Sequence, residues 1–289
     1  MARKLDTATR EALVERVRFY RELGLTEFYR RPVDESAKAS VEVESQAAAV
    51  ESQYSAEIAD PPAASSQSQS KPFMEEAAIP PRKPFPAQPP IGNAVSSSDR
   101  VAALNIIREE IGECTRCALH KGRNKLVFAD GDPNARLLFV GEGPGADEDA
   151  QGLPFVGRAG QLLNNMINAM GLKREEVYIC NVVKCRPPGN RTPEPEEANT
   201  CTPFLFRQID VVRPQVIVAL GATAATYLLG HRQPLAGLRG RVHAFRGTQL
   251  IVTYHPAFLL RDPRQKKEAW ADLQIAMKEL GLKLPASGR

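Results

Sequence analysis

Four short runs of apolar residues alternate with longer segments of helical periodicity in the second part of the chain, and this alternation limits the fold more than any other feature. The apolar runs cover residues 137–140, 177–183, 216–220 and 250–254, and the helical patterns cover residues 161–170, 195–212, 222–229 and 263–280. Strands that are apolar throughout are buried on both faces, as in parallel sheets covered by helices. The sequence therefore predicts an α/β protein, a three-layer α/β/α fold with a central, mainly parallel, four-stranded sheet.

The first third of the chain has a different character. Residues 1–30 include an amphipathic helical pattern, whereas residues 31–97 are rich in Ala, Ser, Gln and Pro, as in PPAASSQSQS and PPRKPFPAQPP. Such a composition cannot bury enough apolar surface to offset the entropy of ordering, so a disordered linker is expected there. Helical periodicity resumes in AALNIIREEIGECTRC. The sequence thus predicts an N-terminal helical segment at residues 1–30, a linker at residues 31–97 and a folded domain at residues 98–289.

Composition excludes some classes of protein. With 43% hydrophobic and 25% charged residues, the chain is typical of a globular protein, and its net charge of +4 permits a polyanionic partner. No apolar run approaches the roughly 20 residues needed to span a bilayer, and the N-terminus carries no apolar signal-peptide core. We therefore expect a cytoplasmic protein without a membrane partner, in which clustered cysteines serve metal ligation or catalysis rather than disulfides.

The five cysteines form a pattern typical of a metal centre. Cys114 and Cys117 form a C-x-x-C pair, and Cys185 and Cys201 follow at a distance, 16 positions apart. Four thiolates suit either a tetrahedral zinc ion or an iron-sulfur cluster. Structural zinc usually draws on two closely spaced pairs, so the wide second spacing favours the cluster and leaves zinc open. Cys180 lies inside a predicted strand and is expected to be a buried, unligated thiol.

Three polar segments lie at the predicted strand ends, where parallel sheets bind their ligands. They are GEGPG after the first strand, CNVVKC at the second and YHP after the fourth. The glycines would let the backbone approach a ligand closely. Phe155 is either a core residue or a surface on which a planar base stacks, and Asn181 either satisfies local backbone groups or projects an amide into a site. His255 would bring an imidazole to the same edge.

Taken together, these segments resemble the iron-sulfur, or type 4, uracil-DNA glycosylases. The resemblance covers roughly residues 102–280 and rests on GEGPGADEDAQGLPFVGRAGQLL, NVVKCRPPGNRTP and HPAFLLR, in that order. It implies the uracil-DNA glycosylase fold and an enzyme that flips uracil out of single- or double-stranded DNA, hydrolyses the N-glycosidic bond and releases free uracil in base excision repair. It also implies a 4Fe-4S cluster on four cysteines: Cys114, Cys117, Cys185 and Cys201.

The resemblance further implies a set of uracil-binding residues: Glu142, Gly143, Glu148, Phe155, Asn181 and His255. Catalytic roles fall to Glu142, Asn181 and His255. The Asn181 amide would complement O4 and N3–H of uracil, a pattern that cytosine reverses, and His255 would meet O2. The classical uracil glycosylases carry an aspartate where this chain has Gly143, so Glu142 and Glu148 both remain candidates for activating water, with Glu142 favoured.

Contacts with DNA can be proposed from the neighbouring segments. Phe258, Leu259 and Leu260 either fill the gap left by the flipped base or begin a buried helix. Seven basic residues are candidate phosphate contacts: Lys184, Arg186, Arg191, Arg239, Arg241, Arg261 and Arg264.

Two other functions stay open from the residues alone. One is a zinc-stabilised module that binds a nucleotide or phosphate without glycosylase activity. The other is a DNA-binding accessory that works through its N-terminal helix and linker. For each of these three functions, the N-terminal segment is a candidate docking element for a repair or replication partner.

Overall fold

The computed structural model describes residues 85 and 87–284. The predicted N-terminal helix and most of the predicted linker lie outside the described residues. Six strands are present in the described part: β1 (Asp130–Gly131), β2 (Leu137–Gly141), β3 (Tyr178–Asn181), β4 (Val216–Leu220), β5 (Val242–Phe245) and β6 (Thr248–Thr253).

The α-helices of the described part are α1 (Arg100–Ile111), α2 (Ala146–Gln151), α3 (Arg158–Ala169), α4 (Pro195–Val212), α5 (Gly221–Leu229), α6 (Leu235–Leu238), α7 (Pro256–Arg261) and α8 (Lys266–Glu279). Short 3-10 helices cover Ala118–Gly122, Arg174–Glu176, Pro188–Asn190 and Pro263–Gln265. The predicted helix at 263–280 is therefore a 3-10 turn followed by α8.

The strands form one sheet in the order β1-β3-β2-β4-β6-β5. The four central strands pair in parallel, which confirms the predicted α/β architecture with its parallel centre. Two antiparallel edge strands were not predicted, β1 beside β3 and β5 beside β6. β1 has two residues and β5 is largely exposed, so neither carries the continuous apolar pattern that marks the buried strands.

Both faces of the sheet are buried, because successive strand side chains point to opposite sides. On one face, Leu138 and Val140 of β2 share a core with α1, α4 and α5. On the other face, Leu137 and Phe139 of the same strand pack with α3, α7 and α8. All five residues of β2 and all five of β4 are buried, as the uninterrupted apolar runs predict. The three layers follow from this alternation.

Residues upstream of 98, assigned by the sequence to the linker, make specific contacts with the domain. Arg246 is buried, pairs with Asp210 at 2.5 Å and donates to the carbonyl oxygen of Pro89 at 2.7 Å. Asp210 also accepts the backbone amide of Gly92 at 3.0 Å. Ordered contacts therefore begin before the predicted boundary at residue 98, since this segment satisfies polar groups of α4 and of the β5–β6 turn.

Within residues 87–284, none of the helices combines the length and apolarity needed to cross a bilayer.

The Asp210–Arg246 pair supports a stability prediction. We expect Asp210→Ala to lower the free energy of unfolding by about 3–5 kcal/mol, because it leaves the Arg246 guanidinium buried without its partner. Urea denaturation followed by circular dichroism measures the change. Glu110→Ala is the matched control, because it breaks an exposed pair with Arg207 and should cost no more than about 1 kcal/mol. Equal losses in the two variants would contradict the prediction.

Candidate active site at the carboxyl edge of the sheet

A cavity of about 520 Å³ opens at the carboxyl ends of the parallel strands. Its walls come from the segments that follow β2, β3 and β6. All six residues of the predicted uracil site line it: Glu142, Gly143, Glu148, Phe155, Asn181 and His255. Because the strands run parallel, residues far apart in sequence meet at this edge, as the strand pattern predicts.

Asn181 ends β3 and is 1% exposed. Its Oδ1 atom is buried and has no hydrogen-bond partner within the described part of the chain. A buried acceptor without a partner costs free energy, and it is available to a ligand that enters the cavity with a donor. The main chain at this point is held by Lys184, whose Nζ donates to the carbonyl oxygen of Asn181 at 2.8 Å.

Two glycines of the GEGPG turn are required by neighbouring side chains. A Cβ on Gly141 would lie 2.4 Å from Asn181 Oδ1 and 2.5 Å from Phe155 Cζ. A Cβ on Gly143 would lie 2.7 Å from Val183 Cγ2. The sequence suggested that these glycines admit a ligand to the backbone. The structure adds that Gly141 makes room for the two side chains that form the cavity wall.

Phe155 is buried, and its ring faces the His255 ring at a centroid distance of 5.6 Å and an interplanar angle of 32°. Its backbone has a φ of +53°, in the left-handed region. This conformation is uncommon for a residue with a side chain, and in native proteins such strain concentrates at functional sites. Phe155 thus belongs both to the core beneath the sheet and to the cavity wall.

His255 is the N-cap residue of α7. Its Nδ1 accepts the backbone amide of Ala257 at 3.1 Å. Burial lowers the pKa of His255 to about 4, with the charge of Arg261 acting in the same direction and that of Glu148 opposing it. At neutral pH the imidazole is therefore uncharged. Because Nδ1 accepts a hydrogen bond, the ring proton resides on Nε2, where it can be donated to a ligand.

The two candidate carboxylates have different surroundings. Glu142 is partly exposed in the cavity, and its Oε2 accepts the hydroxyl of Thr223 at 2.5 Å. Glu148 accepts three backbone amides: Gly145 at 3.0 Å, Val156 at 2.9 Å and Gly157 at 3.1 Å. The Glu148 carboxylate thus closes the loop that carries Phe155, while Glu142 lines the cavity with one hydrogen bond to Thr223.

Two residues at the β4–α5 junction contact residues of the cavity wall and were not predicted. Gly221 has a φ of +91°, and a Cβ there would lie 3.1 Å from the Cβ of His255. Thr223 orients Glu142. The only sequence signal for either was a glycine directly after an apolar run, because this strand end carries no motif of its own.

The structure corrects part of the predicted DNA contacts. Lys184 is 1% exposed and cannot reach a phosphate on the surface. Arg239 pairs with buried Asp272 at 2.7 Å and lies over the Tyr254 ring at 4.0 Å. Both cations bind inside the protein. Arg261, in contrast, is exposed at the cavity, as is Arg158, which the sequence analysis did not name.

The predicted wedge segment lies in α7. Leu259 is 1% exposed and belongs to the core shared with α3 and α8, so it cannot enter a DNA stack. Phe258 lines the cavity and stacks on Tyr254 at 5.1 Å. Leu260 is 37% exposed. Of the three residues, Leu260 keeps the accessibility that a wedge requires.

All four predicted cysteine ligands have a cationic or amide donor beside them, which for Cys117 is the backbone amide of Leu119. Arg116 donates to the Cys114 sulfur at 3.3 Å, and Arg123 donates to the Cys185 sulfur at 3.2 Å. Burial raises the pKa of Cys201 to about 12, while the charge and the backbone amide of Lys184 lower it and Cys185 and Cys117 raise it. Other cysteines of the set raise the pKa values of Cys117, Cys185 and Cys201, so the four thiols lie near one another.

This donor set matches thiolate ligation in composition and charge. Four thiolates carry a large negative charge, which the neighbouring cations would compensate. Within residues 87–284, no three His, Cys, Asp or Glu side chains are arranged to hold a single metal ion. The fifth cysteine, Cys180, is fully buried, and burial raises its pKa to about 11, so it stays a neutral thiol.

Comparison with known proteins gives a consistent result. The Uracil DNA glycosylase superfamily model matches residues 128–274. A type-4 uracil-DNA glycosylase of Thermotoga maritima is 48% identical over 165 residues, which cover 56% of this chain and 86% of that protein. A type-4 enzyme of Archaeoglobus fulgidus is 41% identical over 191 residues, 63% of this chain and 96% of the relative. A type-5 enzyme of Thermus thermophilus is 34% identical over 149 residues, 43% of this chain and 66% of the relative.

The neutral state of His255 can be tested by titration. We expect its imidazole to stay uncharged, with the proton on Nε2, from pH 8 down to about pH 5, because its pKa is lowered to about 4. Nitrogen-15 NMR of the imidazole rings measures the charge, and His255→Gln identifies the signal. The unfolded chain binds this proton near pH 6.5, so His255 destabilises the fold increasingly between pH 6.5 and 4 and not above. An imidazole that becomes protonated near pH 6.5 would contradict the assignment of a neutral His255.

Proposed function

The chain belongs to the type-4 uracil-DNA glycosylases, and from this membership we propose that its cavity takes up a uracil extruded from DNA and stabilises the uracil anion while the bond between N1 and C1′ is hydrolysed. The chain is an enzyme of DNA repair. The observation that carries the proposed residue roles is the unpaired, buried Oδ1 of Asn181, which lies in the same cavity as a neutral imidazole.

Asn181 is the residue that would distinguish uracil from cytosine. Its free Oδ1 would accept N3–H of uracil, and its Nδ2 would donate to O4. Cytosine has an acceptor at N3 and a donor at the neighbouring position, so its binding would leave buried polar groups of like kind facing each other. A site built for specific hydrogen bonds rejects such a mismatch strongly. Lys184 supports this selectivity by fixing the Asn181 carbonyl at 2.8 Å.

His255 would stabilise the leaving group. When the N1–C1′ bond breaks, the electron pair stays with uracil and negative charge develops on N1 and on the carbonyl oxygens, including O2. The Nε2–H of a neutral imidazole can donate to O2 without first losing or gaining a proton. Preorganised donors aimed at developing charge contribute the largest single catalytic effect in many enzymes.

Phe155 would supply the stacking surface for the uracil ring. The ring is buried in the cavity wall and faces the His255 imidazole. Stacking on an aromatic ring is tolerant of base identity, so Phe155 would hold the base while Asn181 identifies it.

Glu142 is our proposal for the carboxylate that orients water. It faces the cavity and is held by the Thr223 hydroxyl, whereas Glu148 is occupied by backbone amides. A water molecule held by Glu142 would attack C1′ of the oxocarbenium-like sugar and transfer a proton to the carboxylate. Glu148 would contribute to uracil binding by fixing the loop around Phe155.

Contact with DNA would occur at the cavity mouth, through the exposed guanidinium groups of Arg158 and Arg261. Phosphate contacts of this kind orient the strand without reading its sequence. The uracil must leave the stack before reaction, at a cost of a few kcal/mol that is lowest for mispaired bases. We therefore expect excision from single strands and from duplexes, with uracil opposite guanine opening more readily than uracil opposite adenine.

The cofactor we propose is a 4Fe-4S cluster held by Cys114, Cys117, Cys185 and Cys201. Two features support this cofactor: the four thiols lie near one another, and donors from Arg116, Arg123 and Lys184 would compensate thiolate charge. When bound, such a cluster supplies iron–thiolate bonds that join separate segments of the chain. We also propose the cytoplasm as the compartment, because all five cysteines are free thiols and a reducing environment keeps them so.

The residue roles can be tested by uracil excision. Single-stranded and duplex oligonucleotides containing one uracil are incubated with the enzyme and cleaved with alkali at the resulting abasic sites. We expect Asn181→Ala, His255→Ala and Glu142→Gln each to lower the single-turnover rate by about 100- to 1000-fold, the typical effect of losing a group that acts in the transition state.

The matched control for this experiment is His243→Ala. His243 lies on β5, away from the cavity, and its Nε2 contacts the Leu238 carbonyl oxygen at 2.7 Å. We expect this variant to excise uracil at the wild-type rate. If His255→Ala excised uracil as fast as His243→Ala, the proposed role of His255 would be wrong.

Cluster ligation is tested by the metal content of anaerobically purified protein. We expect a brown protein with about four irons and four acid-labile sulfides per chain. Cys201→Ser should lose most of the iron because it removes a ligand, while Cys180→Ser should retain it because Cys180 is a buried, neutral thiol. Colourless protein that contains stoichiometric zinc would contradict the proposal.

A further inference from the structure

We propose that Arg174 is a positioning residue of the uracil site, which holds the backbone of Phe155 in the conformation that keeps its ring in the cavity. This inference rests on the proposed function, in which the uracil ring stacks on Phe155. Arg174 itself does not line the cavity: it begins the 3-10 helix Arg174–Glu176, ahead of β3.

The guanidinium of Arg174 binds two successive carbonyl groups of the loop. Nη2 donates to the carbonyl oxygen of Pro154 at 2.6 Å, and Nη1 donates to that of Phe155 at 3.1 Å. The two carbonyls flank the Phe155 residue, so the contacts restrain the backbone torsions on both sides of its Cα. The planar fork of an arginine has the geometry for two such bonds, which a lysine ammonium cannot reproduce with fixed orientation.

The same guanidinium is fixed from the opposite side. Its Nε donates to Asp130 Oδ2 at 2.8 Å on the edge strand β1, and Nη1 also contacts Asn164 Oδ1 at 2.9 Å on α3. The Arg174 side chain is 22% exposed. Contacts with two elements and a loop leave it little rotational freedom. Arg174 therefore holds the loop at a fixed position relative to β1 and α3.

The backbone of Phe155 needs such a restraint. Its φ of +53° is in the left-handed region, which is strained for a residue with a side chain and persists only where neighbours enforce it. Helix α3 also approaches this residue closely, since a Cβ on Gly160 would lie 1.9 Å from the Phe155 carbonyl oxygen. Gly160 leaves space for the carbonyl, and Arg174 supplies its hydrogen-bond donor.

Loss of the restraint would move the aromatic ring. If Phe155 relaxed to a right-handed or extended backbone, the direction of its Cα–Cβ bond would change and the ring would leave its position beside Gly141 and His255. Asn181 and His255 would stay in place, because other contacts hold them. The expected defect is therefore selective: weaker stacking of the base with the hydrogen-bonding groups intact.

The test compares Arg174→Ala and Arg174→Lys with wild type in the full chain. We measure the binding of free uracil by calorimetry and the single-turnover excision of uracil from a single-stranded oligonucleotide. Both variants should weaken uracil binding and slow excision at subsaturating DNA by about 5- to 150-fold, the range expected for the loss of one base–aromatic stack. The pH profile of the reaction should not change, since His255 is unaffected.

A double-mutant cycle with Phe155→Leu separates positioning from general destabilisation. If Arg174 acts through the Phe155 ring, Arg174→Ala should add little to the defect of Phe155→Leu in uracil binding. If the two defects multiply, the positioning role is wrong. If Phe155→Leu alone leaves uracil binding unchanged, the stacking role in the proposed function fails instead, and the inference fails with it.

Arg136→Ala is the matched control. Arg136 also donates to a main-chain carbonyl, that of Leu280, and it donates to Gln215 Oε1 at 2.8 Å. It directly precedes β2, at the amino ends of the parallel strands and away from the cavity. This variant should lower thermal stability without changing uracil affinity.

Should Arg174→Ala fail to fold, Gly160→Ala tests the same Phe155 carbonyl with Arg174 intact and should weaken uracil binding similarly. Wild-type uracil affinity in the folded Arg174→Lys and Gly160→Ala variants would overturn the proposal.

Discussion

The parallel pairing of β2, β3, β4 and β6 is the constraint on which the rest of the structure depends. It brings four strand ends to one edge, so that Glu142, Asn181 and His255 meet although long stretches of sequence separate them. Both sheet faces are buried, and hydrogen bonds from Thr223 and to Ala257 orient Glu142 and His255 at this edge. Polar groups that are oriented by the fold are the condition for electrostatic preorganisation.

The site departs from the preferences of a stable core in three ways. Asn181 keeps a buried oxygen unpaired, His255 stays uncharged because burial lowers its pKa, and Phe155 holds a left-handed backbone. The unpaired oxygen and the left-handed backbone cost folding free energy at any pH, whereas the lowered pKa of His255 does so only below about pH 6.5. Each feature has a counterpart in the proposed chemistry: binding N3–H, donating to O2 and stacking the base. Local conflicts of this kind are expected where function and stability compete.

The cysteine region and the cavity are joined by short polar links. Lys184 is adjacent to Cys185 and donates to the Asn181 carbonyl, so the end of β3 and the cysteine loop share one buried cation. Asp149, next to the loop-closing Glu148, accepts both the backbone and the side chain of Asn124 at 2.9 and 2.5 Å. Order in the cysteine region would therefore favour order in the cavity, which gives a bound cluster a structural use without a redox step.

By itself, the sequence determined the central strands and the helix Pro195–Val212, because apolar periodicity reports which elements are buried. The six residues that its resemblance implied for the site all line one cavity. Only the tertiary structure decided the two edge strands, the burial of Leu259, the ion pair of Arg239 with Asp272 and the hydrogen bonds of Arg174 to the Phe155 loop. The physical reason is that the apolar pattern of a strand or helix depends on how deeply that element is buried. A hydrogen bond between distant segments depends instead on the strand register and on the packing of helices against the sheet, which exist only in the folded chain.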